Sequence, residues 1–204
     1  MSALTFQALT PEHLTAWLAF FDGPAFADNP EWGTCYCRCF LMPPQGDRDQ
    51  GIAAWDAACA AGANRAPMID RIGQGQVDGV LAFVGDQVVG WLHLGPVGRF
   101  CAAWGPSFVP APGDAAAVGQ DGQAAIVCFL VAQGHRRQGV GRGMLTFALD
   151  ELRRRGFRSV VAKAAGPAID AASDQFTGPL SLYTSLGFQV VRDDARRPLV
   201  ARDL

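Results

Sequence analysis

The sequence predicts a mixed α/β fold, and three stretches of the chain carry that prediction. Two β-rich arms flank a Gly-Asp turn and predict a hairpin over residues 79–95. An apolar run that begins at Ile126 passes through a loop of glycines and arginines into a helical pattern over residues 140–155. Another β-rich run follows at residues 157–164, so strands and helices alternate in this half of the chain.

Composition limits the classes of protein that the chain can represent. Its 204 residues suit one domain, and a hydrophobic fraction of 50% is enough for a full core. A formal net charge of −2 argues against general nucleic-acid binding. We see no apolar run of about 18 residues and no export-signal pattern, so we expect a cytoplasmic protein without membrane contact. Low lysine beside much alanine, arginine and glycine suggests a bacterial gene, and we expect a monomer or homodimer.

The first 75 residues predict one strand followed by helices. Residues 4–8 alternate apolar and polar side chains, which is typical of a strand. Thr10 as N-cap and Pro11 at the first helical position then predict a helix whose apolar face includes Trp17. The pattern over residues 50–72 predicts either one helix or a broken pair.

Three cysteines lie at alternate positions, Cys35, Cys37 and Cys39, and point the same way if this segment is a strand. A zinc site normally needs four ligands, with C-x₂₋₄-C spacing, and no second pair follows here. We therefore predict buried, reduced thiols without a metal. Two alternatives remain open: the thiols line a substrate pocket, or they form a thiol- or metal-sensing module.

The loop over residues 136–143, RRQGVGRG, leads directly into the helix that follows it. The first N–H groups of a helix have no partner inside it, so they attract anions. Glycines allow the backbone to approach a ligand closely, and arginines add positive charge. The spacing matches neither a P-loop nor a dinucleotide-binding fingerprint. The loop therefore predicts a phosphate site of another type.

Two motifs in order give the chain a family resemblance. The pattern R-x-x-G-x-G reads Arg136-x-x-Gly139-x-Gly141, and the pattern L-Y-x-x-L-G-F runs from Leu182 to Phe188. With the hairpin before them, they make the chain resemble the GCN5-related N-acetyltransferase (GNAT) family. The segment W-x-x-C-x-C-x-x-F at residues 32–40 also resembles a little-characterised subgroup with a cysteine-rich N-terminal segment.

The resemblance implies a fold and a ligand. The expected fold is a mixed, mostly antiparallel sheet, splayed between its fourth and fifth strands and flanked by helices. One domain would cover residues 1–204, with an N-terminal extension over 1–75 and the family core at about 79–192. Acetyl-CoA would lie in the split as co-substrate, with no metal, and the partner would be an amine-bearing acceptor.

The resemblance also implies cofactor-binding residues. The strand over residues 124–131 would pair with the pantetheine arm, and an N–H near its end would bind the developing oxyanion. Backbone N–H groups over residues 138–143 would hold the pyrophosphate. The implied cofactor-binding residues are Cys128, Leu130, Val131, Arg136, Arg137, Gln138, Gly139, Val140, Gly141, Arg142 and Gly143.

Catalysis of acetyl transfer needs a base for the amine and an acid for the thiolate. By its position in the motif, Tyr183 is the expected acid; the alternative role is aromatic packing between helix and strand. His93, near the end of the hairpin, is a candidate base or else a hydrogen-bonded core histidine. Further candidate bases are Asp121 and the carboxylates of the 165–178 loop. An inactive GNAT-shaped binding or regulatory domain remains the alternative function.

Overall fold

A computed structural model of the protein describes residues 3–42, 48–100 and 122–204. Seven strands form one sheet in the order β1-β2-β3-β4-β5-β7-β6. The strands are β1 (Leu4–Ala8), β2 (Gly79–Val84), β3 (Gln87–Pro96), β4 (Gln123–Val131), β5 (Ser159–Lys163), β6 (Gln189–Arg192) and β7 (Leu199–Asp203). Neighbouring strands are antiparallel, except that β4 and β5 are parallel. The predicted mixed, mostly antiparallel sheet is therefore confirmed, and β1 and β7 extend it beyond residues 79–192.

Five α-helices flank the sheet within the described residues: α1 (Leu14–Phe21), α2 (Arg48–Ala60), α3 (Arg65–Gly73), α4 (Val140–Arg154) and α5 (Leu180–Thr184). Of the two alternatives for residues 50–72, one helix or a broken pair, the structure shows the broken pair as α2 and α3. A 3-10 turn, Pro11–His13, precedes α1, and the Thr10 N–H donates to His13 Nδ1 at 3.1 Å. No helix in the described parts of the chain is long and apolar enough to cross a membrane. The long loop expected over residues 96–123 lies mostly outside the described residues.

The sheet opens between β4 and β5. Their pairing runs from Gln123 opposite Ser159 to Ile126 opposite Ala162, whereas β4 continues beside β3 as far as Val131. A bulge marks this point, because Leu94 of β3 lies opposite Ile126 while His93 lies opposite Cys128. A bulge bends a strand and increases its twist. The expected splay between the fourth and fifth strands is confirmed.

Two cores lie on opposite sides of the sheet. Helix α4 packs Met144, Leu145 and Leu149 onto one side, which we call the α4 face. The other side, the α1 face, is covered by α1 and the cysteine segment. On that face Trp17 stacks on Phe21 with ring centroids 4.1 Å apart. The split between β4 and β5 therefore lies between two packed layers.

The cysteine segment is not a strand, so the condition under which its three thiols would point the same way is not met. Its chain turns at Tyr36 (φ 48°) and Cys37 (φ 52°), both in the left-handed region, and continues as a 3-10 helix over Arg38–Leu41. Non-glycine residues adopt such angles only rarely, and an alternating pattern contains no signal for them. The side chains of Cys35, Cys37 and Cys39 are nevertheless buried, as predicted.

Candidate active site

A cavity of about 1170 Å³ opens at the split. The end of β4 and the loop before α4 form one wall, and the cysteine segment with Phe40 and Trp55 forms another. The remaining walls come from Lys163 at the end of β5, residues 174–182, and the connection between β6 and β7. The lining includes Val140, which packs on the α4 face, and Cys128, which packs on the α1 face. The cavity therefore extends through the split in the sheet and borders the cores on both the α4 face and the α1 face.

The N-terminus of α4 faces this cavity with free backbone donors. Gly139 is the N-cap residue at φ 84°, and the first helical hydrogen bond joins the Gly143 N–H to the Gly139 carbonyl at 2.9 Å. The N–H groups of residues 139–142 therefore precede the helical ladder, and among the described residues no side chain caps them. Gly139, Val140, Gly141 and Arg142 all line the cavity. This end of the cavity can bind an anion.

The two glycines of α4 that follow have different roles. A Cβ at Gly141 would make ordinary contact with Leu182 at 3.7 Å, so the position is roomy and borders the cavity. A Cβ at Gly143 would overlap the ring of Phe6 on β1. Gly143 does not line the cavity. Its lack of a side chain serves the packing of α4 on the sheet.

The arginines and Gln138 differ in what they contact. The Arg136 guanidinium forms a bidentate pair with Asp28, at 2.5 and 3.0 Å, and its Nε donates to the Val131 carbonyl at 2.9 Å. Arg136 therefore ties the end of β4 to the N-terminal segment. Arg142 donates to Ser185 Oγ at 2.9 Å, and Arg137 is exposed at the cavity. The Gln138 amide donates to the Gly134 carbonyl at 2.8 Å and is not part of the lining.

The three β4 residues of the predicted set lie together at the cavity. Cys128, Leu130 and Val131 all line the cavity beyond the last pairing with β5. Their backbone edge faces the split, since β3 occupies the other edge. No described strand pairs with this edge, and an extended ligand with amide groups can hydrogen-bond to it.

Tyr183, the expected acid, is fully buried behind the cavity wall. Its hydroxyl donates to the Thr177 carbonyl at 2.8 Å, and its ring packs edge-on against Phe129 and Phe188. Burial raises the pKa of Tyr183 well above its ordinary value, so the phenol keeps its proton. Tyr183 is not itself part of the lining, whereas Gly178 and Leu182 nearby are.

His93, the candidate base, lies in the core of the α1 face. Its ring packs against Phe40, Trp91 and Phe100, and it is 1% exposed. Burial, and then the charge of Arg99, lower the pKa of His93 to about 3. Its Nδ1 has no hydrogen-bond partner among the described residues. The structure does not bring His93 to the cavity wall; of the other candidate bases, Asp174 lines the cavity and Asp121 lies outside the described residues.

Four thiols converge on the cavity: those of the cysteine segment, Cys35, Cys37 and Cys39, and that of Cys128. The Cys37 and Cys128 sulfurs are 3.1 Å apart. Burial raises the pKa of Cys37 and of Cys39, whereas hydrogen bonds from the Cys37 and Cys39 thiols lower that of Cys35. Within the described residues, no group of three or more histidines, cysteines or carboxylates is arranged to hold a metal ion.

Sequence reasoning missed a group of charged residues at the cavity. Lys163, Arg192, Asp194, Arg196 and Arg197 line its wall at the ends of β5 and β6. Lys163 ends a strand whose three middle residues are apolar, and it is the only lysine in the chain. Those two signals mark Lys163 as unusual in the sequence. They do not predict which residues lie beside Lys163, because that depends on the register of the strands in the sheet.

The split sheet and the exposed N–H groups at the α4 N-terminus border one cavity, an arrangement suited in an α/β protein to a long ligand with an anionic group. The chain belongs to the acetyltransferase (GNAT) family, whose sequence model matches residues 50–188. That range begins after the cysteine segment, so the resemblance of this segment to a subgroup stays a prediction. No curated protein matches the chain.

Solved structures share the fold. The PaiA N-acetyltransferase from Thermoplasma acidophilum, in complex with coenzyme A, is 11% identical with a TM-score of 0.56, covering 99% of each chain. A ribosomal-protein-alanine N-acetyltransferase from Brucella melitensis is 19% identical with a TM-score of 0.51, covering 98% of this chain and 99% of that one. A GCN5-related N-acetyltransferase from Kribbella flavida is 20% identical with a TM-score of 0.51, covering 99% and 98%. At these identities the likeness shows the fold alone.

Proposed function

We propose that the protein is an acetyl-CoA-dependent N-acetyltransferase that moves the acetyl group to an amine by direct attack in a ternary complex. One observation carries the proposal: the strand edge beyond Ile126 and the N–H groups at the start of α4, which have no partner among the described residues, border the same cavity. Membership of the acetyltransferase family and a fold shared with a coenzyme A complex support it.

In this proposal, each part of the cavity wall has one task. The backbone of β4 over residues 127–131 binds the pantetheine amides, and the N–H groups of residues 139–142 bind the pyrophosphate. An N–H near Leu130 or Val131 stabilises the oxyanion that forms when the amine attacks the thioester carbonyl. The acceptor enters from the α1 face, on which the thiols and aromatic rings lie.

Proton transfer completes the reaction. The acceptor amine must lose a proton before it attacks, and Asp174 is the candidate base of the 165–178 loop that lines the cavity. We propose Tyr183 as the acid for the leaving thiolate from its position in the L-Y-x-x-L-G-F motif; the phenol is protonated at neutral pH, although burial raises its pKa and makes it a weaker acid. To reach the sulfur, the Tyr183 hydroxyl must exchange its hydrogen bond to the Thr177 carbonyl for one to the thiolate.

The experiment is a screen of amino acids, peptides, polyamines and aminoglycosides with acetyl-CoA, which detects thiol release and acetylated product by mass spectrometry. We expect protein-dependent acetylation of at least one amine class and none with Gly141→Glu, which places a carboxylate at the phosphate end. Binding of acetyl-CoA without turnover of any amine would instead indicate a GNAT-shaped binding or regulatory domain.

A further inference from the structure

We propose that the acceptor amine carries an anionic group, a carboxylate or a phosphate, and that Lys163 binds this group on the α1 face of the split. This inference rests on the proposed function, since it names the acceptor class of the same site. It assigns Lys163 as a specificity residue.

Lys163 is buried yet has no close partner. The residue is 5% exposed and lines the cavity. Within the described residues its ammonium group makes neither a hydrogen bond nor a salt bridge, and the Asp194 carboxylate acts on it only at longer range. Lysine is almost never fully buried unless it is paired. Burial accordingly lowers the pKa of Lys163. An anionic ligand in the cavity would supply the missing partner.

The sheet register places Lys163 away from the phosphate end. Leu199 of β7 lies directly opposite Lys163 on one side and opposite Arg192 on the other. Residues paired in this way project from the same face of a sheet, and Leu199 belongs to the core on the α1 face. Lys163 and Arg192 therefore flank Leu199 on that face. The N-terminus of α4, which we assign to the pyrophosphate, packs on the opposite face.

The surroundings of Lys163 carry excess positive charge. Four cationic side chains and two carboxylates, Asp174 and Asp194, line this part of the cavity. Asp194 Oδ1 already accepts the backbone N–H groups of Arg196 and Arg197, at 2.8 and 2.7 Å. That carboxylate is thus engaged in holding the β6–β7 connection.

Arg197 stiffens the same wall. Its guanidinium donates to Thr177 Oγ1 and to the Asp174 carbonyl, both at 2.7 Å, and lies over the ring of Phe176. These bonds tie the β6–β7 connection to the loop before α5. The cationic wall is therefore built in place before any ligand arrives, which favours binding of a negatively charged group.

The acceptor class follows from this charge. Amino acids, short peptides with a free carboxylate, and aminophosphonates present an amine and an anion on one molecule. Polyamines and aminoglycosides would bring further positive charge against Lys163 and Arg192, and the cavity disfavours them. The amine would lie toward β4, and the anion toward the end of β5.

The first test uses the fact that the chain has one lysine. Protein labelled with ¹³C,¹⁵N-lysine gives a single side-chain signal, which reports the pKa of Lys163. We titrate CoA-saturated protein with N-acetyl amino acids, with N-acetyl-aminoethylphosphonate, and with the neutral acetamides of the corresponding decarboxylated amines. We expect the carboxylate or the phosphonate probes to raise the pKa by about one unit or more, and the neutral probes to leave it unchanged.

Two outcomes of that titration would overturn the proposal. A signal that responds to none of the anionic probes shows that Lys163 does not bind such a group. If CoA alone raises the pKa of Lys163 by the expected amount and the anionic probes cause no further change, Lys163 binds a phosphate of the cofactor instead. Both outcomes are independent of turnover, so they are distinct from failure of the proposed function.

The second test compares amino acids with their decarboxylated amines as acceptors, using wild type, Lys163→Met and Lys163→Arg. We expect wild type to prefer the anionic member by about 10-fold or more in kcat/KM. Lys163→Met should lose about 10- to 100-fold, mainly in KM, whereas Lys163→Arg keeps the preference. Lys163→Met should also fold about as stably as wild type, because within the described residues the ammonium makes no hydrogen bond or salt bridge that the change would break.

Other kinetic results would contradict the proposal that Lys163 binds the anionic group of the acceptor. Equal acetylation of both members of every pair would refute it while leaving the transferase function intact. A fall in kcat for all amines in Lys163→Met, without rescue by arginine, would make Lys163 a general base. If no amine is acetylated at all, the proposed function fails, and the titration of the labelled lysine still decides the anion site.

Discussion

Replacement of Tyr183 by phenylalanine separates its two expected roles. The change removes one hydroxyl that donates to the Thr177 carbonyl at 2.8 Å and keeps the ring between Phe129 and Phe188. Loss of one buried hydrogen bond, which leaves its acceptor without a donor, lowers the free energy of unfolding by about 1–2 kcal/mol. For a chain of this size that corresponds to a melting temperature lower by about 2–8 °C.

The effect on turnover of Tyr183→Phe depends on the role of the hydroxyl. A general acid contributes about 10²- to 10⁴-fold in rate, so we expect the chemical step to slow by that factor with unchanged affinity for acetyl-CoA. The assay is single-turnover release of the CoA thiol with enzyme in excess, so that product release does not limit the rate.

The matched control is the other tyrosine of the chain, Tyr36. Its hydroxyl donates to Asp22 Oδ1 at 2.6 Å, and Tyr36 does not line the cavity. Tyr36→Phe should lose stability to a similar extent and keep full turnover. Equal single-turnover rates for wild type and both variants would refute the acid role, and solvent would then protonate the thiolate.

Three further predictions follow from buried groups. Burial holds the pKa of His93 at about 3, while the unfolded imidazole titrates near 6.5, so unfolding takes up a proton below pH 6.5. Between pH 7 and pH 5 the free energy of unfolding, measured with urea, should fall by about 2 kcal/mol more in wild type than in His93→Gln. Equal falls in the two proteins would contradict a buried, neutral His93. Gly143→Ala should destabilise the fold by about 1–3 kcal/mol through overlap with Phe6, whereas Gly141→Ala should melt like wild type. Purified protein should hold no stoichiometric zinc, and about one zinc per chain, lost on substitution by serine, would assign a metal site to Cys35, Cys37 and Cys39.

Local pattern was sufficient to predict the elements that position the site. The Gly-Asp turn at residues 85–86 predicted the β2–β3 hairpin, and the glycines before Val140 predicted the helix start. Both signals are short-range, since turn type and helix capping depend on a few adjacent residues. The split between β4 and β5 was predicted from the order of the motifs and from the family resemblance.

Positions that depend on tertiary packing were not predictable in the same way. The alternating cysteines left a strand open, but left-handed angles at Tyr36 and Cys37 fold the segment into turns. Arg136 matched a phosphate motif, yet its guanidinium pairs with Asp28 far away in sequence. Lys163 and Arg192 lie on the same face of the sheet because both pair with Leu199 of β7. The sequence contains no local signal for that strand register.

Calorimetric titration of acetyl-CoA tests the central claim, that the α4 N-terminus and the β4 edge bind this co-substrate. Gly141→Glu adds a side chain where there is room and a negative charge where the pyrophosphate would bind. Gly73→Glu is the matched control, because Gly73 lies at the end of α3, has open space around it and does not line the cavity. We predict one binding site per chain for wild type and Gly73→Glu, and no measurable binding for folded Gly141→Glu. Unchanged affinity in Gly141→Glu would contradict the account.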